Sequence, residues 1–336
     1  MALPTRPLGK TGMSITSVGF GAWAAGGGGW AFSWGPQDDK DSIAAIRFAV
    51  ESGVNWVDTA GIYGLGHSEE VVGMAMKDIP EADRPYIFTK CGLVWDAANP
   101  YVPARRAGAA ESIRSDCEAS LRRLGVEAID LLQMHWPAED GARLDDYWAA
   151  LLGLKEEGKI RAAGLSNHNA AQLEQAEALG HVDTLQPPFS AVRRLNAPEI
   201  AWCAAHSTGV IVYSPMQAGL LTGHFSVERV AQLHQDDWRR NNPEFQGERL
   251  AANLALAGAL APIAEEKGTT LAALAVAWVL AWPGITGAIV GARSPSQVEG
   301  WLPAARLELT KADLDDVAAA IESTRAGEGP LRPPGS

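Results

Sequence analysis

The sequence predicts an α/β fold, a closed (β/α)8 barrel of the TIM type, and two observations favour it. Short apolar runs rich in β-branched residues alternate with amphipathic helical segments along most of the chain. Eight such units imply parallel strands with right-handed crossovers, and this number suits a closed barrel better than an open sheet. The length of 336 residues fits two ordinary domains or one large barrel. Because no linker or composition shift marks a boundary, we expect a single domain over residues 1–336.

The predicted strands and helices follow one another in strict alternation. Strand-like runs cover residues 18–23, 55–60, 86–91, 129–135, 160–167, 184–190, 209–215 and 285–292. Helical patterns cover residues 41–52, 68–76, 107–124, 143–157, 170–179, 198–207, 250–282, 295–302 and 311–325. The longest of these is expected to be two helices, divided at Gly268 and Thr269.

Four segments fall outside this alternation. Residues 5–18 read as a hairpin around Gly9 and Gly12, an appendage ahead of the main fold. A glycine-rich loop follows the first strand, and residues 216–247 form a long polar loop that is typical of a lid or binding loop. Residues 327–336, rich in proline and glycine, are expected to be disordered.

Composition excludes several classes of function. The formal net charge of −12 leaves no basic surface for nucleic acid or an anionic membrane. The longest apolar run, residues 271–282, is too short to span a bilayer, and the first ten residues contain no apolar h-region of the kind a signal peptide has. The three cysteines (Cys91, Cys117 and Cys203) contain no C-x-x-C pair and are expected to be buried free thiols. We therefore expect a cytoplasmic protein with neither nucleic-acid nor membrane partners and no metal site.

Polar residues stand at the ends of the predicted strands, where a barrel of this type places its functional groups. Asp58, Lys90 and His135 end three consecutive strands, and Tyr63 follows Asp58 after a short loop. Each has a structural alternative: Asp58 could cap a helix, Lys90 could be a solvated rim charge, and His135 could be a buried hydrogen-bonding residue. Their occurrence at three successive strand ends favours a catalytic site.

These four side chains suit proton transfer to a carbonyl oxygen. An ammonium group beside a phenol stabilises the phenolate and is expected to lower the tyrosine pKa, while a carboxylate holds the lysine in place. A neutral histidine can donate a hydrogen bond to an oxygen that is acquiring charge. The set lacks a strong nucleophile paired with a base, so acyl and glycosyl transfer fit poorly. Protonation of an alkoxide as hydride arrives at carbon fits well.

Seven motifs follow one another at the spacing of barrel strands. They read, in order, V-D-T-A-G-I-Y-G-L-G-H-S-E, F-T-K-C-G, D-L-L-Q-M-H-W-P, G-L-S-N-H, L-Q-P-P-F-S, V-Y-S-P-M-Q-A-G-L-L-T-G and I-V-G-A-R-S-P-S-Q. With these motifs the sequence resembles the aldo-keto reductase family over nearly the whole chain. The resemblance implies an NADPH-dependent carbonyl reductase in which Tyr63 donates the proton, Asp58 and Lys90 tune it, and His135 orients the carbonyl. The reverse alcohol oxidation is chemically available. No Rossmann G-x-G-x-x-G fingerprint occurs.

The resemblance also implies where NADP(H), or alternatively NAD(H), would bind. The nicotinamide would be held by Ser166, Asn167 and Gln186 and stacked on Tyr213. The pyrophosphate loop would comprise Ser214, Pro215, Gln217, Gly219 and Leu220, and the adenosine 2′-phosphate would lie at Gly291, Arg293 and Gln297. Gly21, Trp23 and Asp58 complete the implied cofactor residues.

Two features depart from the pattern of the family. Gly300 and Trp301 stand where many relatives have an acidic residue and an asparagine that contact adenine, so Trp301 could lie against the base instead. The second departure is the glycine-rich loop, which is unusually aromatic with Trp30, Phe32 and Trp34. Five tryptophans that follow or flank strand ends could wall an apolar substrate pocket or be ordinary rim packing. These are Trp23, Trp30, Trp34, Trp95 and Trp136.

Two other functions compete with that of a carbonyl reductase. The family resembles, in its whole fold, the cofactor-binding β subunits of potassium channels, so a nicotinamide-binding regulatory or scaffold subunit is an alternative. A metal-dependent barrel hydrolase would need a His-x-His pair after the first strand, and Gly21 to Trp23 supply none. The expected partner is therefore a small carbonyl compound, while its identity and the oligomeric state stay open.

Overall fold

The structure is a computed structural model that describes residues 2–335, and its centre is a closed barrel of eight parallel strands. The strands are β1 Thr5–Pro7, β2 Ser14–Thr16, β3 Val18–Gly21, β4 Trp56–Asp58, β5 Tyr86–Cys91, β6 Leu93–Val94, β7 Arg105–Arg106, β8 Ile129–Met134, β9 Ile160–Ser166, β10 Thr184–Gln186, β11 Gly209–Val212 and β12 Gly287–Gly291. Around the barrel the strand order is β10, β11, β12, β3, β4, β5, β8 and β9, so the first barrel strand, β3, pairs with the last, β12. The predicted (β/α)8 barrel is confirmed.

Helices surround the barrel in the predicted alternation. They are α1 Asp39–Glu51, α2 His67–Met76, α3 Ala110–Leu124, α4 Leu144–Glu156, α5 Ala170–Glu177, α6 Ala197–His206, α7 Val227–Ala231, α8 Gly247–Glu266, α9 Leu271–Leu280, α10 Pro295–Trp301 and α11 Lys311–Thr324. The long helical pattern is divided at Gly268, whose φ of 61° is left-handed, and Thr270 then caps α9 by accepting a hydrogen bond from Ala273 N.

The barrel interior is filled by its own side chains. Trp56 lies fully buried there beside Phe88, with ring centroids 5.3 Å apart, and its Nε1 donates to Thr16 O at 2.8 Å. Gly19 allows this packing, because a Cβ at that position would stand 2.1 Å from the Trp56 ring. A second, larger apolar layer lies between the strands and the helices.

The N-terminal hairpin, β1 with β2, closes the bottom of the barrel rather than standing apart as an appendage. Leu8, Met13 and Ile15 are buried in the same cluster as the interior residues Trp56 and Phe88. At the turn, Gly9 has a φ of 53° and sits so close to Gly209 that a Cβ would lie 2.6 Å from its nitrogen. The bottom is therefore filled, which leaves the C-terminal ends of the strands as the accessible side of the barrel.

Two loops meet over the C-terminal ends of the strands. Ser33, in the loop after β3, donates its hydroxyl to Asp236 O at 2.6 Å and accepts from Trp238 N at 2.9 Å. Residues 216–247, predicted as one irregular loop, contain α7 and three 3₁₀ turns. The two loops thus cover the barrel mouth together.

The segment after Gly327, which the sequence predicts to be disordered, makes defined contacts. Glu328 pairs with the chain at Arg193 and Arg194, receiving a hydrogen bond on its carbonyl from Arg194 N at 3.0 Å. Arg332 lies 2.8 Å from Asp315. These partners belong to distant elements, so composition alone could not reveal them.

Three features of the described residues concern membrane spans, metal ligands and cysteines. Among residues 2–335, no helix has both the length and the apolar character needed to cross a bilayer. Within the same residues, no three His, Cys, Asp or Glu side chains are grouped as metal ligands. The three cysteines are buried and free, as predicted.

Candidate active site

The structure brings Asp58, Tyr63, Lys90 and His135 together at the C-terminal ends of neighbouring strands. Asp58 ends β4, Lys90 lies near the end of β5, and His135 directly follows β8. Tyr63 begins a 3₁₀ turn, Tyr63–Gly66, in the loop after β4. Because β4, β5 and β8 are consecutive in the barrel, residues far apart in sequence meet at one edge.

Lys90 connects the other members of this site. Its Nζ lies 2.6 Å from Asp58 Oδ1, 2.8 Å from Thr59 O and 3.4 Å from the Tyr63 hydroxyl. An ammonium group has three N–H donors, and these three acceptors account for all of them. The second oxygen of Asp58 accepts from Gln186 Nε2 at 2.9 Å. The lysine is therefore held in a fixed orientation with one donor aimed at the phenol.

Burial opposes the charges of Asp58 and Lys90, while their contact favours them. Burial raises the Asp58 pKa and lowers the Lys90 pKa, and each residue's charge partly reverses the shift of the other. A 2.6 Å contact with a further donor on Asp58 satisfies both groups, so we assign an ionised pair.

The pKa of Tyr63 is raised, whereas the sequence predicted that Lys90 would lower it. Burial raises the pKa of the phenol well above 10, and the Asp58 carboxylate adds to that shift. The prediction was wrong in direction because Asp58 compensates the lysine charge and burial penalises the phenolate. The resting side chain is thus a protonated phenol, which is a proton donor.

His135 is neutral beside this phenol. Burial lowers its pKa well below 6.5, and the positive charges of Lys90 and Arg106 lower it further. Its ring meets that of Tyr63 edge to face, with centroids 5.8 Å apart. A neutral imidazole can donate one hydrogen bond without bringing a positive charge into the site.

The residues expected at the nicotinamide form one hydrogen-bonded chain next to the site. Asn167 has a left-handed φ of 62°, donates to His135 O at 2.9 Å and accepts from the Tyr213 hydroxyl at 2.7 Å. Ser166 Oγ donates to Gln186 O at 2.9 Å, and Gln186 in turn reaches Asp58. Side chains that could hold a carboxamide are therefore fixed relative to the four site residues.

The loop expected at the pyrophosphate has an unusual backbone. Ser214, Gln217, Ala218 and Gly219 all have positive φ, with values of 57°, 47°, 52° and 101°. Runs that mix right- and left-handed residues form concave turns in which backbone N–H groups can bind anions. Pro215 and Leu220 are buried, and Leu220 packs in an apolar cluster with Phe245, so only its backbone could face a ligand.

Arg293 is held by the loop after β3. Its Nε donates to Gln37 Oε1 at 2.6 Å, and its two terminal nitrogens donate to Trp34 O and Pro36 O. Gln297 fixes the backbone by accepting from Arg293 N at 2.8 Å. These bonds use three of the five N–H donors of a guanidinium, so donors remain for a phosphate. Gly291 and Gly21 lie side by side in the register of β12 and β3.

Trp301 does not lie where adenine could contact it. Its side chain is 1% exposed and packs within the main core. The hypothesis that Trp301 faces the base is therefore wrong, because α10 turns this residue inward. Gly300 is partly exposed on the same helix, and its carbonyl accepts from the Thr270 hydroxyl.

Four of the five predicted pocket tryptophans gather near Tyr63, and one does not. Trp23 stacks on Tyr63 at 5.8 Å and meets Trp34 edge to face at 5.1 Å. Trp30 and Trp95 belong to the same apolar cluster as Trp23 and Tyr63. Trp136 has its ring 4.5 Å from the Arg106 guanidinium and is not part of that cluster.

Comparison with known proteins places the chain in a family. A sequence model described as the Aldo/keto reductase family matches residues 17–322. The chain belongs to the aldo-keto reductase family. This agrees with the resemblance that the seven motifs carry and with the closed parallel barrel.

The alignments with three similar proteins cover nearly the whole chain. Aldo-keto reductase YhdN of Bacillus subtilis is 33% identical, with 94% of this chain and 93% of that protein covered. The NADH-specific methylglyoxal reductase of Escherichia coli is 32% identical, with 94% and 98% covered. The solved structure of the glycerol dehydrogenase AKR11B4 from Gluconobacter oxydans matches with a TM-score of 0.87 and 33% identity, covering 98% of each chain.

Sequence reasoning missed several residues that this aldo-keto reductase places around the site. Trp238 stacks on Trp23 at 5.1 Å, but it lies in a loop without periodicity that could have placed it. Glu69 is fully buried, accepts from Thr89 at 2.6 Å and pairs with Arg123 at 2.7 Å. Its signal was present, since Glu69 stands in the G-H-S-E end of the first motif.

Proposed function

We propose that this aldo-keto reductase reduces the carbonyl group of an aldehyde or ketone with NADPH, and that Tyr63 protonates the oxygen. The observation that carries the proposal is the position of the Tyr63 hydroxyl 3.4 Å from Lys90 Nζ, where the lysine is paired with Asp58. A protonated phenol beside a buried cation is a general acid whose conjugate base is stabilised as it forms.

The chain's own residues would act as follows. The bound nicotinamide supplies the hydride to the carbonyl carbon. Tyr63 donates its hydroxyl proton to the carbonyl oxygen, and Lys90 stabilises the resulting phenolate. His135, neutral at working pH, donates a hydrogen bond that orients the carbonyl and polarises it. Trp23 and Trp34 would exclude water from the reacting atoms, since both rings lie close to Tyr63 or to its stacking partner.

The cofactor would be held by residues that are already fixed relative to the site. Ser166, Asn167 and Gln186 would bind the carboxamide and Tyr213 would stack on the ring. The turn from Ser214 to Leu220 would face the pyrophosphate, and Gly21 and Gly291 would leave room at the ends of their strands. Arg293 would bind the 2′-phosphate, which a planar guanidinium suits better than a bare hydroxyl. The NADH-specific Escherichia coli relative makes NADH the competing cofactor.

The experiment that tests this proposal measures oxidation of NADPH and of NADH by a panel of carbonyl compounds. Methylglyoxal belongs in the panel, and glycerol tests the reverse direction, because similar proteins bear those names. Tyr63→Phe should lower turnover by at least about 100-fold, the usual contribution of general acid catalysis. Tyr86→Phe is the matched control, since Tyr86 begins β5 at the opposite end of the barrel. Tight cofactor binding without turnover of any compound would favour a regulatory subunit.

The location of the protein is part of the proposal. Cys91, Cys117 and Cys203 are buried free thiols, and burial raises the pKa of each. Thiols of this kind persist in a reducing compartment, which supports a cytoplasmic enzyme.

A further inference from the structure

A small, partly open cavity borders the candidate active site. It offers about 10 Å³ of water-accessible space, which is room for a single water molecule. Lys90 and His135 form one side, and Asp116, Ser120 and Arg123 of α3 form the other. The cavity therefore joins two of the four site residues to charged side chains of an outer helix, in a place that the proposed chemistry does not use.

Asp116 is the titratable group on the outer side of this cavity. It is partly exposed, and its Oδ2 accepts from Gly92 N at 2.9 Å. Burial raises its pKa to about 6, and Glu69 also raises it, while the Gly92 N–H and Arg123 act in the opposite direction. A carboxyl group with this pKa can both hold and release a proton near neutral pH.

The other ionisable groups that face Asp116 are committed elsewhere. Arg123 donates its Nε to Glu69 Oε2 at 2.7 Å, and Glu69 also accepts from Thr89. Burial raises the pKa of the neighbouring Cys91 thiol well above 9, so that thiol stays protonated. On the inner side, burial lowers the Lys90 pKa and thereby eases the release of a proton from its ammonium group.

We propose that Asp116 returns protons to Tyr63 through one water molecule in this cavity and through Lys90. The inference rests on the proposed function, because each reduction leaves a phenolate at Tyr63 that must be reprotonated. Lys90 passes a proton along its 3.4 Å contact to the phenolate oxygen. The neutral amine that remains at Lys90 has a free lone pair, which turns toward the water by rotation about the Cε–Nζ bond. The water protonates this amine and takes a proton from Asp116, which is replenished from solvent. One solvent proton enters per turnover, in balance with the proton given to the alkoxide.

The test separates hydride transfer from proton uptake. NADPH-loaded enzyme is rapidly mixed with a carbonyl compound that it reduces, in weak buffer with a pH-indicator dye. Nicotinamide absorbance follows hydride transfer, and the dye follows proton uptake. In the unmodified protein both should proceed at the same rate. In Asp116→Asn, hydride transfer in the first turnover should stay within about twofold, while proton uptake should become at least about tenfold slower. The asparagine keeps an oxygen that can accept from Gly92 N.

Asp130→Asn is the matched control. Asp130 is also a partly buried carboxylate that accepts from a strand nitrogen, Ile87 N at 2.8 Å, and burial raises its pKa too. It stands at the other end of β8, so the two rates should remain equal. Equal rates in Asp116→Asn, or the same lag in Asp130→Asn, would overturn the relay.

A second variant covers the case in which Asp116→Asn does not fold. Ser120→Val adds a methyl group to the cavity wall and should displace the water, which gives the same separation of rates. Coincident hydride transfer and proton uptake in Ser120→Val would overturn the relay. If the unmodified protein transfers no hydride to any carbonyl compound, the proposed function fails and the relay fails with it. If the variants transfer hydride and take up protons at equal rates, the relay is wrong but the proposed function stands.

Discussion

Asp58 Oδ1 lies 2.6 Å from Lys90 Nζ, and both side chains are almost fully buried. Each residue therefore depends on the other for its charge, and Lys90 can hold a donor toward Tyr63 only while Asp58 fixes it. This pair supports both the stability of the barrel and the proposed chemistry.

Lys90→Met should abolish carbonyl reduction and leave cofactor affinity largely intact. The reason is that Lys90 contacts the Tyr63 hydroxyl, whereas the residues proposed to hold the nicotinamide lie at or just after the ends of β9, β10 and β11. Turnover and quenching of tryptophan fluorescence by NADPH measure the two properties. Retained activity in Lys90→Met would refute the role of the lysine.

The same substitution should destabilise the fold because it leaves the Asp58 charge buried and unpaired. The free energy of unfolding should fall by about 3–5 kcal/mol. The double variant Asp58→Asn with Lys90→Met should recover part of this loss, since it removes the stranded charge. Denaturant unfolding of both proteins checks this, and an equally unstable double variant would contradict the assignment of an ion pair.

Arg293→Ala should raise the Michaelis constant for NADPH far more than that for NADH. Only NADPH carries the 2′-phosphate that the remaining guanidinium donors could bind. Arg240→Ala is the control, because Arg240 donates to Leu233 O within the exposed part of the long loop. If Arg293→Ala changes both constants equally, Arg293 serves only to hold the loop at Trp34 and Pro36.

Acid should destabilise this protein through His168. The ring is 1% exposed and lies 2.8 Å from both Ser166 O and the Tyr147 hydroxyl. Burial lowers its pKa from 6.5 to about 4. The folded state therefore binds fewer protons than the unfolded state between these values, so stability is full above pH 6.5 and is lost as pH falls toward 4.

The loss due to His168 should approach about 3 kcal/mol below pH 4, from the size of the pKa shift. Unfolding in urea at pH 7 and pH 4.5, for the unmodified protein and His168→Gln, measures it. The variant should show the smaller difference between the two pH values. An identical pH dependence would show that other groups carry the effect.

Trp238→Ala should loosen the cover of the barrel mouth. Trp238 stacks on Trp23 and meets Trp34 edge to face at 5.5 Å, so its removal takes away the aromatic contacts between the two loops. Limited proteolysis should then cleave faster within residues 27–36 and 225–242. Trp202→Ala is a suitable control, because Trp202 lies on α6 and stacks on His206. Unchanged cleavage would mean that the remaining contacts hold the loops, namely the Ser33 hydrogen bonds, the Trp34–Asp237 bridge and the Arg239 guanidinium 4.6 Å from the Trp34 ring.

The barrel could be predicted from local sequence patterns, because each of its strands and helices is specified by its own short stretch of sequence. Periodicity placed all eight strands and the break at Gly268, and the ends of those strands named Asp58, Lys90 and His135. The geometry of a closed barrel then requires such ends to meet. Contacts between residues far apart in sequence could not be predicted, because no local pattern reports them. Examples are the hydrogen bond between Arg293 and Gln37 and the contacts of Glu328.

The surroundings of individual side chains explain the remaining differences between the sequence predictions and the structure. The pKa direction of Tyr63 depends on how far burial outweighs a lysine that is itself paired, and no spacing in the sequence reports that balance. The sequence suggests that Trp301 lies against adenine and that Trp136 lines the substrate pocket, but α10 turns Trp301 into the core and Trp136 packs on Arg106. The residue type near a strand end thus identifies a candidate site residue, and packing decides where its side chain points and how its pKa shifts.

The pairing of β3 with β12 has a consequence for biosynthesis. Val18 to Gly21 find their second neighbour only at Ala288 to Gly291, near the other end of the chain. During translation, β3 therefore keeps an unpaired edge until almost the whole polypeptide has left the ribosome. Unpaired strand edges invite association with other chains. Nascent chains of this protein, and fragments that stop before β12, should accordingly depend on chaperones or aggregate.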